Sequence, residues 1–195
     1  MDHSGTPAHV SSLTDIELMA RVRDGDLRQM THIFERHHVR LYNFYLRLTG
    51  SREGSEDMVQ EVFFRMLRYR HTFRGEGEFL AWMYHLARNV LADQRRKRTE
   101  EPAGDGGPDE IPEGTPHALE QLEIDQERDM LSKALERLPL EKREVLVLSR
   151  FQELRYDVIA SILGCSVEAV KVRVHRAMNE LRTIFFELSG EKPGE

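Results

Sequence analysis

Between Thr99 and Pro116 the chain loses almost every side chain from which a core is built, and this gap divides the rest in two. Gly, Pro, Asp and Glu dominate the stretch. Such a composition stays solvated, because too little apolar surface is present to offset the entropy of ordering the chain. On either side, apolar residues recur at intervals of three and four, the period of a helix. No alternating run is long enough to form a strand. The expectation is an all-α protein of two small helical domains, 13–98 and 118–188, joined by a flexible acidic linker over 99–117.

Local signals place the helices. Thr14-Asp15-Ile16-Glu17 is a capping box, in which the threonine caps an amide three residues on and the glutamate reaches back. The next helix spaces Leu27, Met30, Phe34, Leu41, Phe44 and Leu48 along one apolar face and closes at Thr49-Gly50-Ser51. Ser55-Glu56-Asp57 opens a third, with acidic side chains where the helix dipole favours them; its apolar face is Met58, Val62, Phe63 and Met66. Phe73 to Gly77 breaks the pattern. A further helix then carries Phe79, Met83, Leu86 and Val90 towards the basic run Arg95-Arg96-Lys97-Arg98.

Beyond the linker, Leu131, Ala134, Leu135 and Leu138 share a helix face that stops at Pro139, and a second helix runs from about Glu141 to Phe151. Two amphipathic segments follow, Tyr156 to Leu163 and Val167 to Phe186, separated by Gly164-Cys165-Ser166. Two helices joined by a tight glycine turn, the second one basic, have the pattern of a helix-turn-helix. Ile159, Ala160 and Leu163 pack the first inward, Gly164 permits the turn, and Ser166 caps the second. Val167, Val170, Val174, Ala177 and Leu181 then face the core. The opposite face presents Glu168, Lys171, Val172, Arg173, His175 and Arg176, which suits phosphates, guanine edges and a thymine methyl. It suits equally the solvated face of an ordinary amphipathic helix.

Charge and composition exclude several classes. A net charge of −6 argues against indiscriminate nucleic-acid binding, although the basic residues cluster in two places. Cys165 is the single cysteine, so no intramolecular disulfide forms, and a reducing cytoplasm fits. No apolar run reaches the ~20 residues of a spanning helix, so membrane insertion is not expected. His37 and His38 are adjacent on one helix and point to different faces, so no metal is expected, and no other cofactor. No nucleophile–base pair or phosphate loop suggests an enzyme.

Aromatics interleave with arginine in the N-terminal half: Tyr69, Phe73, Phe79, Trp82 and Tyr84 lie among Arg68, Arg70, Arg74 and Arg88. Such a mixture can stack unpaired bases while the cations hold the backbone, but the helical spacing of Phe79 and Trp82 fits a core better. The order EDMVQEVFFRML and then FRGEGEFLAWMYHLARNVLADQRRKR resembles the second region of bacterial sigma factors. The stretch LERLPLEKREVLVLSRFQELRYDVIASILGCSVEAVKVRVHRAMNELR is similar to their fourth. With a short tether in place of a middle domain, the chain resembles the extracytoplasmic-function group from about Leu13 to Leu188.

The resemblance implies a transcription initiation factor that binds core RNA polymerase, directs it to promoter DNA and assists opening. By the same resemblance, Asp57, Gln60 and Glu61 meet the polymerase. Phe73, Trp82, Arg88, Asn89, Arg95, Arg96 and Arg98 take the non-template strand of the minus-ten element. Ser166, Glu168, Lys171, Val172, Arg173, His175 and Arg176 read the minus-thirty-five element, and an anti-sigma factor is a further partner the family often has. Three positions depart from the family's habit: Arg155 stands where serine is frequent, Val172 where a small polar residue is frequent, and Cys165 where an aliphatic residue is frequent. The competing reading is a stand-alone helix-turn-helix regulator with an N-terminal sensing or protein-binding domain.

Overall fold

Thr14 starts the fold as expected. Its hydroxyl accepts from the Glu17 amide at 3.3 Å, and the Glu17 carboxylate accepts from the Thr14 amide at 2.7 Å. The computed structural model describes residues 13–100 and 119–190, with side chains over 13–99 and 128–190. The N-terminal half holds α1 (Asp15–Arg23), α2 (Gln29–Thr49), α3 (Arg52–Arg68), a single 3-10 turn (Arg70–Thr72) and α4 (Phe79–Glu100). The C-terminal half holds α5 (Leu119–Arg137), α6 (Leu140–Leu146), α7 (Tyr156–Leu163) and α8 (Val167–Ser189). Every regular element among the described residues is helical. None is long and apolar enough to cross a membrane. The expected linker loses its first two residues to α4; the remainder, 101–117, lies outside the described residues.

In the N-terminal half, α2 is the central element, with α1 and α3 against it. Leu41, Phe44 and Tyr45 of α2 are fully buried with Val62 and Met66 of α3 and Met83, Tyr84 and Ala87 of α4. Each such aliphatic or aromatic side chain contributes roughly 1.5–3 kcal/mol by leaving water. The Tyr45 hydroxyl donates to the Ala87 carbonyl at 2.9 Å and ties α2 to α4. Burial pushes this phenol well above its ordinary range, so it keeps the proton that it donates.

Three expectations need correction here. The third helix opens at Arg52, not Ser55. Ser51 is its cap, accepting from the Gly54 amide at 3.1 Å, while Ser55 is fully buried and donates to the Ser51 carbonyl. Leu27 precedes α2 and is half exposed, and Phe34 is 41% exposed on its surface, so neither belongs to the core.

In the C-terminal half, α6 passes into a π-helical turn over Val147–Phe151, where the Gln152 amide reaches back five residues to Val147. Glu153 follows with φ 53°. Ala134, Leu135, Leu138, Val145 to Leu148, Ile159, Ile162, Val170, Val174, Ala177 and Leu181 form the core, close to the predicted faces. The last helix runs three residues past the expected Phe186.

The halves touch. α4 lies against α7, and α2 against α5, α6 and the π turn.

Candidate nucleic-acid and partner interface

The turn between α7 and α8 is made by Gly164, whose φ of 62° and ψ of 41° place it in the left-handed region favoured by glycine. Ser166 caps α8 through the Ala169 amide at 3.2 Å. With Val170, Val174, Ala177 and Leu181 buried, α8 turns Glu168, Lys171, Val172, Arg173, His175 and Arg176 outward, all six exposed. Ser166 is exposed at the start of the same helix. The His175 ring lies 3.1 Å from the Asn179 amide nitrogen, one turn on, so that ring nitrogen is the acceptor of the pair. The result is an exposed helix face that carries the cations Lys171, Arg173 and Arg176 together with the apolar Val172.

The aromatic residues of the N-terminal half divide. Phe73 and Phe79 are buried, at 5% and 3% exposure, and Trp82 is partly buried against them at 5.1 and 6.2 Å between ring centres. They anchor the loop between the 3-10 turn and α4. Arg23 fixes the same loop by donating to the Phe73 carbonyl at 3.3 Å. Phe73 is therefore a poor candidate for stacking on a base, which requires an open ring face; Trp82 retains part of its surface.

Asn89 is exposed and borders a cleft of about 390 Å³ that Tyr69, Thr72, Leu86 and Asp93 also line. Tyr69 is 40% exposed, which gives the cleft one open aromatic face; the sequence offered Tyr69 only as one member of an aromatic run. Arg95, Arg96 and Arg98 continue along α4, all exposed. Arg96 pairs with Asp93 at 3.0 Å, and Asp93 pairs with Arg65 at 2.9 Å. Hydrogen bonding to Arg65, with Arg96 and Lys97 nearby, holds the Asp93 carboxyl below its usual range.

Arg88 does not join this surface. It lies on the α4 face shared with Tyr84, one turn earlier, and that face meets the C-terminal half. Its Nε donates to Glu144 Oε1 at 2.8 Å, and its terminal nitrogen donates to the Ile162 carbonyl at 2.8 Å. The expected strand-binding set is thus divided, with Asn89 and the basic run open and Arg88 engaged elsewhere.

On α3, Asp57 and Gln60 are exposed, and Glu61 is half exposed while bonded to Arg65 at 2.6 Å. These three residues stand on one helix face as the spacing 57, 60, 61 requires. Beside them lies a groove of about 370 Å³ between α2 and α3, lined by Phe34, Val39, Tyr42 and Val59. Phe34 stacks on His38 at 4.7 Å, and Val39 is 56% exposed. The sequence reading assigned Phe34 to the core and missed this apolar strip. The only available signal was that Phe34 and His38 sit one turn apart beside a second histidine, His37, which points inward and bonds Asp15 at 2.8 Å.

Two family models match the chain, Sigma-70 region 2 over residues 33–101 and Sigma-70, region 4 over residues 128–181. The chain is 31% identical over 144 residues to the ECF RNA polymerase sigma factor EcfG of Rhodopseudomonas palustris, covering 73% of this chain and 77% of that one. It is 30% identical over 179 residues to the ECF RNA polymerase sigma-E factor of Escherichia coli K12, covering 85% and 91%. Among solved structures, CnrH in complex with the cytosolic domain of CnrY has a similar fold, with a TM-score of 0.68 at 23% identity over 91% of this chain and 99% of that one. The sigma factor RpoE of Bartonella quintana, bound to the anti-sigma factor NepR, aligns with a TM-score of 0.61 at 22% identity, covering 79% and 94%.

Proposed function

This chain belongs to the extracytoplasmic-function group of the sigma-70 family, and we propose that its two exposed charged surfaces divide the work of a promoter-specificity factor between its halves. It is a transcription initiation factor that binds RNA polymerase and directs it to promoters. The acidic face of α3, with Asp57, Gln60 and Glu61, docks on a basic surface of core polymerase, and the apolar strip at Phe34 and Val39 extends that contact. Asn89, Tyr69 and Trp82 take unpaired bases of the minus-ten strand, and Arg95, Arg96 and Arg98 hold its phosphates. A stacked base is worth about 1–3 kcal/mol, which offsets part of the cost of unstacking the duplex. The outer face of α8 enters the major groove at the minus-thirty-five element, where Lys171, Arg173 and Arg176 meet phosphates or guanines and Val172 meets a methyl group.

Phosphodiester chemistry belongs to the polymerase, and the chain works in the cytoplasm where that enzyme is. Each reading surface alone is small and binds weakly. Held by the polymerase at a fixed separation, the second contact becomes intramolecular and gains in effective concentration. The family resemblance also implies an anti-sigma partner, of the kind that NepR is for the Bartonella factor.

The observation that carries this reading is the presence, in order on one chain, of an acidic exposed helix in the region 2 match and a basic exposed helix in the region 4 match. Gel filtration with core RNA polymerase tests it. Wild type is expected to co-elute, and Asp57→Arg, which leaves the buried side of α3 untouched, is expected not to. Wild-type protein that binds duplex promoter DNA tightly by itself and never co-elutes with core would instead be a stand-alone regulator.

A further inference from the structure

Helix α2 sets a guanidinium with no counter-ion into the wall of an apolar cavity. The cavity measures about 470 Å³, and residues of α2, the start of α3, α5 and the π turn line it. That volume falls within the roughly 300–1,000 Å³ typical of small-molecule sites. Its apolar walls are Leu46, Leu131, Leu135 and Phe151. Leu135 is buried and the other three are half-buried. Phe151 ends the π turn, an irregularity that often marks functional sites.

Arg47 stands among these walls. Its guanidinium carbon lies 4.4 Å from the centre of the Phe151 ring, and one terminal nitrogen donates to the Asn43 carbonyl at 3.2 Å. These two contacts fix its position, and no carboxylate pairs with it among the described residues. A guanidinium has five N–H donors, so most of this set is left over. Burial also pulls Arg47 below its ordinary pKa, with no opposing charge to restore it. A cation that has lost part of its hydration and gained no carboxylate is one that an anionic ligand would stabilise. Arg52 and Arg128 line the same cavity, and Glu136 is its one acidic lining residue. The Glu136 carboxylate also favours the charged form of Arg143, so its charge is shared.

We propose that this cavity binds a small amphipathic carboxylate, its alkyl chain between Leu46, Leu131, Leu135 and Phe151 and its acid group paired with Arg47. The two parts of the ligand answer the two parts of the site. Three of the four walls are leucine, and Arg47 covers a face of Phe151, which suits an alkyl chain over a stacked ring. One negative charge matches the one half-buried guanidinium, whereas a second would lie in the field of Glu136. A neutral apolar molecule would bury Arg47 further and still leave it unpaired. No residue assigned above to polymerase docking or to DNA lines the cavity, so the site is separate from the proposed function.

Isothermal titration calorimetry of the full chain with octanoate tests the site. Octan-1-ol supplies the same chain without the charge, and acetate the charge without the chain. Octanoate is expected to bind with a Kd on the order of 0.1–1 mM, the range open to so small a ligand. The alcohol and acetate should each bind at least about tenfold more weakly, since each satisfies half of the site. Arg47→Gln, with unchanged helical circular dichroism, should weaken octanoate about tenfold, and Arg47→Lys, which keeps the charge, should lose less. If Arg47→Gln does not fold, the three probes on wild type decide the matter alone. No octanoate binding in the millimolar range, equal binding of the alcohol, or a folded Arg47→Gln of unchanged affinity would overturn the site. So would loss of octanoate binding in Val39→Ser, because the chain would then lie in the groove between α2 and α3.

Discussion

Glu153 is the one non-glycine residue with positive φ among those described, at 53°, and replacing it should make the protein more stable. A side chain bearing Cβ costs about 1–2 kcal/mol in this region, because Cβ approaches the following carbonyl. Glycine removes that cost but is freer in the unfolded chain, which takes back about 0.5–1 kcal/mol. The Glu153 side chain is exposed and has no hydrogen bond or ion pair among the described residues, so nothing else is lost. Glu153→Gly is therefore expected to gain about 0.5–1 kcal/mol, or roughly 1–4 °C in Tm for a chain of this size. Glu153→Ala is the control, since alanine keeps Cβ and should leave stability within about 0.5 kcal/mol of wild type. Urea unfolding of the three proteins reads the effect as a shift in midpoint at constant slope. A destabilised glycine variant would refute the reasoning. So would an alanine variant as stable as the glycine one, because the gain would then come from removing the carboxylate.

Further outcomes concern single contacts. Asp15 binds Arg36 and His37, and hydrogen bonding to His37 holds its carboxyl below the ordinary value against the opposing effect of burial, with Arg36 adding to the shift. Its contribution should be complete above about pH 4 and fade as pH falls through the depressed folded value. Asp15→Asn should thus be less stable than wild type in urea at pH 7, with the difference closing in strong acid. Ser166→Ala removes the cap of α8 and should cost about 1 kcal/mol by thermal unfolding, while weakening minus-thirty-five DNA binding by the holoenzyme. Arg176→Ala should lower the slope of log affinity against log salt by about one if the side chain meets a phosphate. If it reads a guanine, it should instead relax preference at one base position.

Much of this was legible because it is local. The capping box at Thr14, the glycine turn at Gly164 and the cap at Ser166 each satisfy backbone groups within four residues, so short patterns announce them. The buried face of α8 follows from period alone. The start of α3 did not, because Gly54 sits in its first turn and the true cap, Ser51, sits beside the Gly50 that ends α2. Phe34 was misassigned because periodicity names the face of a helix but cannot say whether a neighbour covers its whole length. Phe73 is buried in the loop before α4, a placement its sequence context did not announce, because an aromatic among arginines fits base stacking and loop anchoring alike. Contacts between the halves left no trace in any pattern. Gln152 and Arg40 are 112 residues apart, and neither residue type at its position distinguishes a solvent-facing side chain from one that closes an interface.

The chemistry of that interface differs from that of the cores. Within the N-terminal half, parting α2 from α3 would bare Leu41, Phe44, Val62 and Met66 to water, at roughly 25 cal/mol for every Å² of apolar surface exposed. Arg88, Glu144, Gln152, Tyr84 and Arg40 behave differently. Each is satisfied across the boundary, and each would be hydrated if the halves parted, so parting them would not strand a buried polar group. Arg88 makes the case most directly. Its guanidinium is held by a carboxylate and a helix-terminal carbonyl, acceptors of the same kind that phosphate oxygens offer. Retention by the C-terminal half and capture of a phosphate strand would draw on one set of hydrogen-bond donors, so at this residue the two exclude one another.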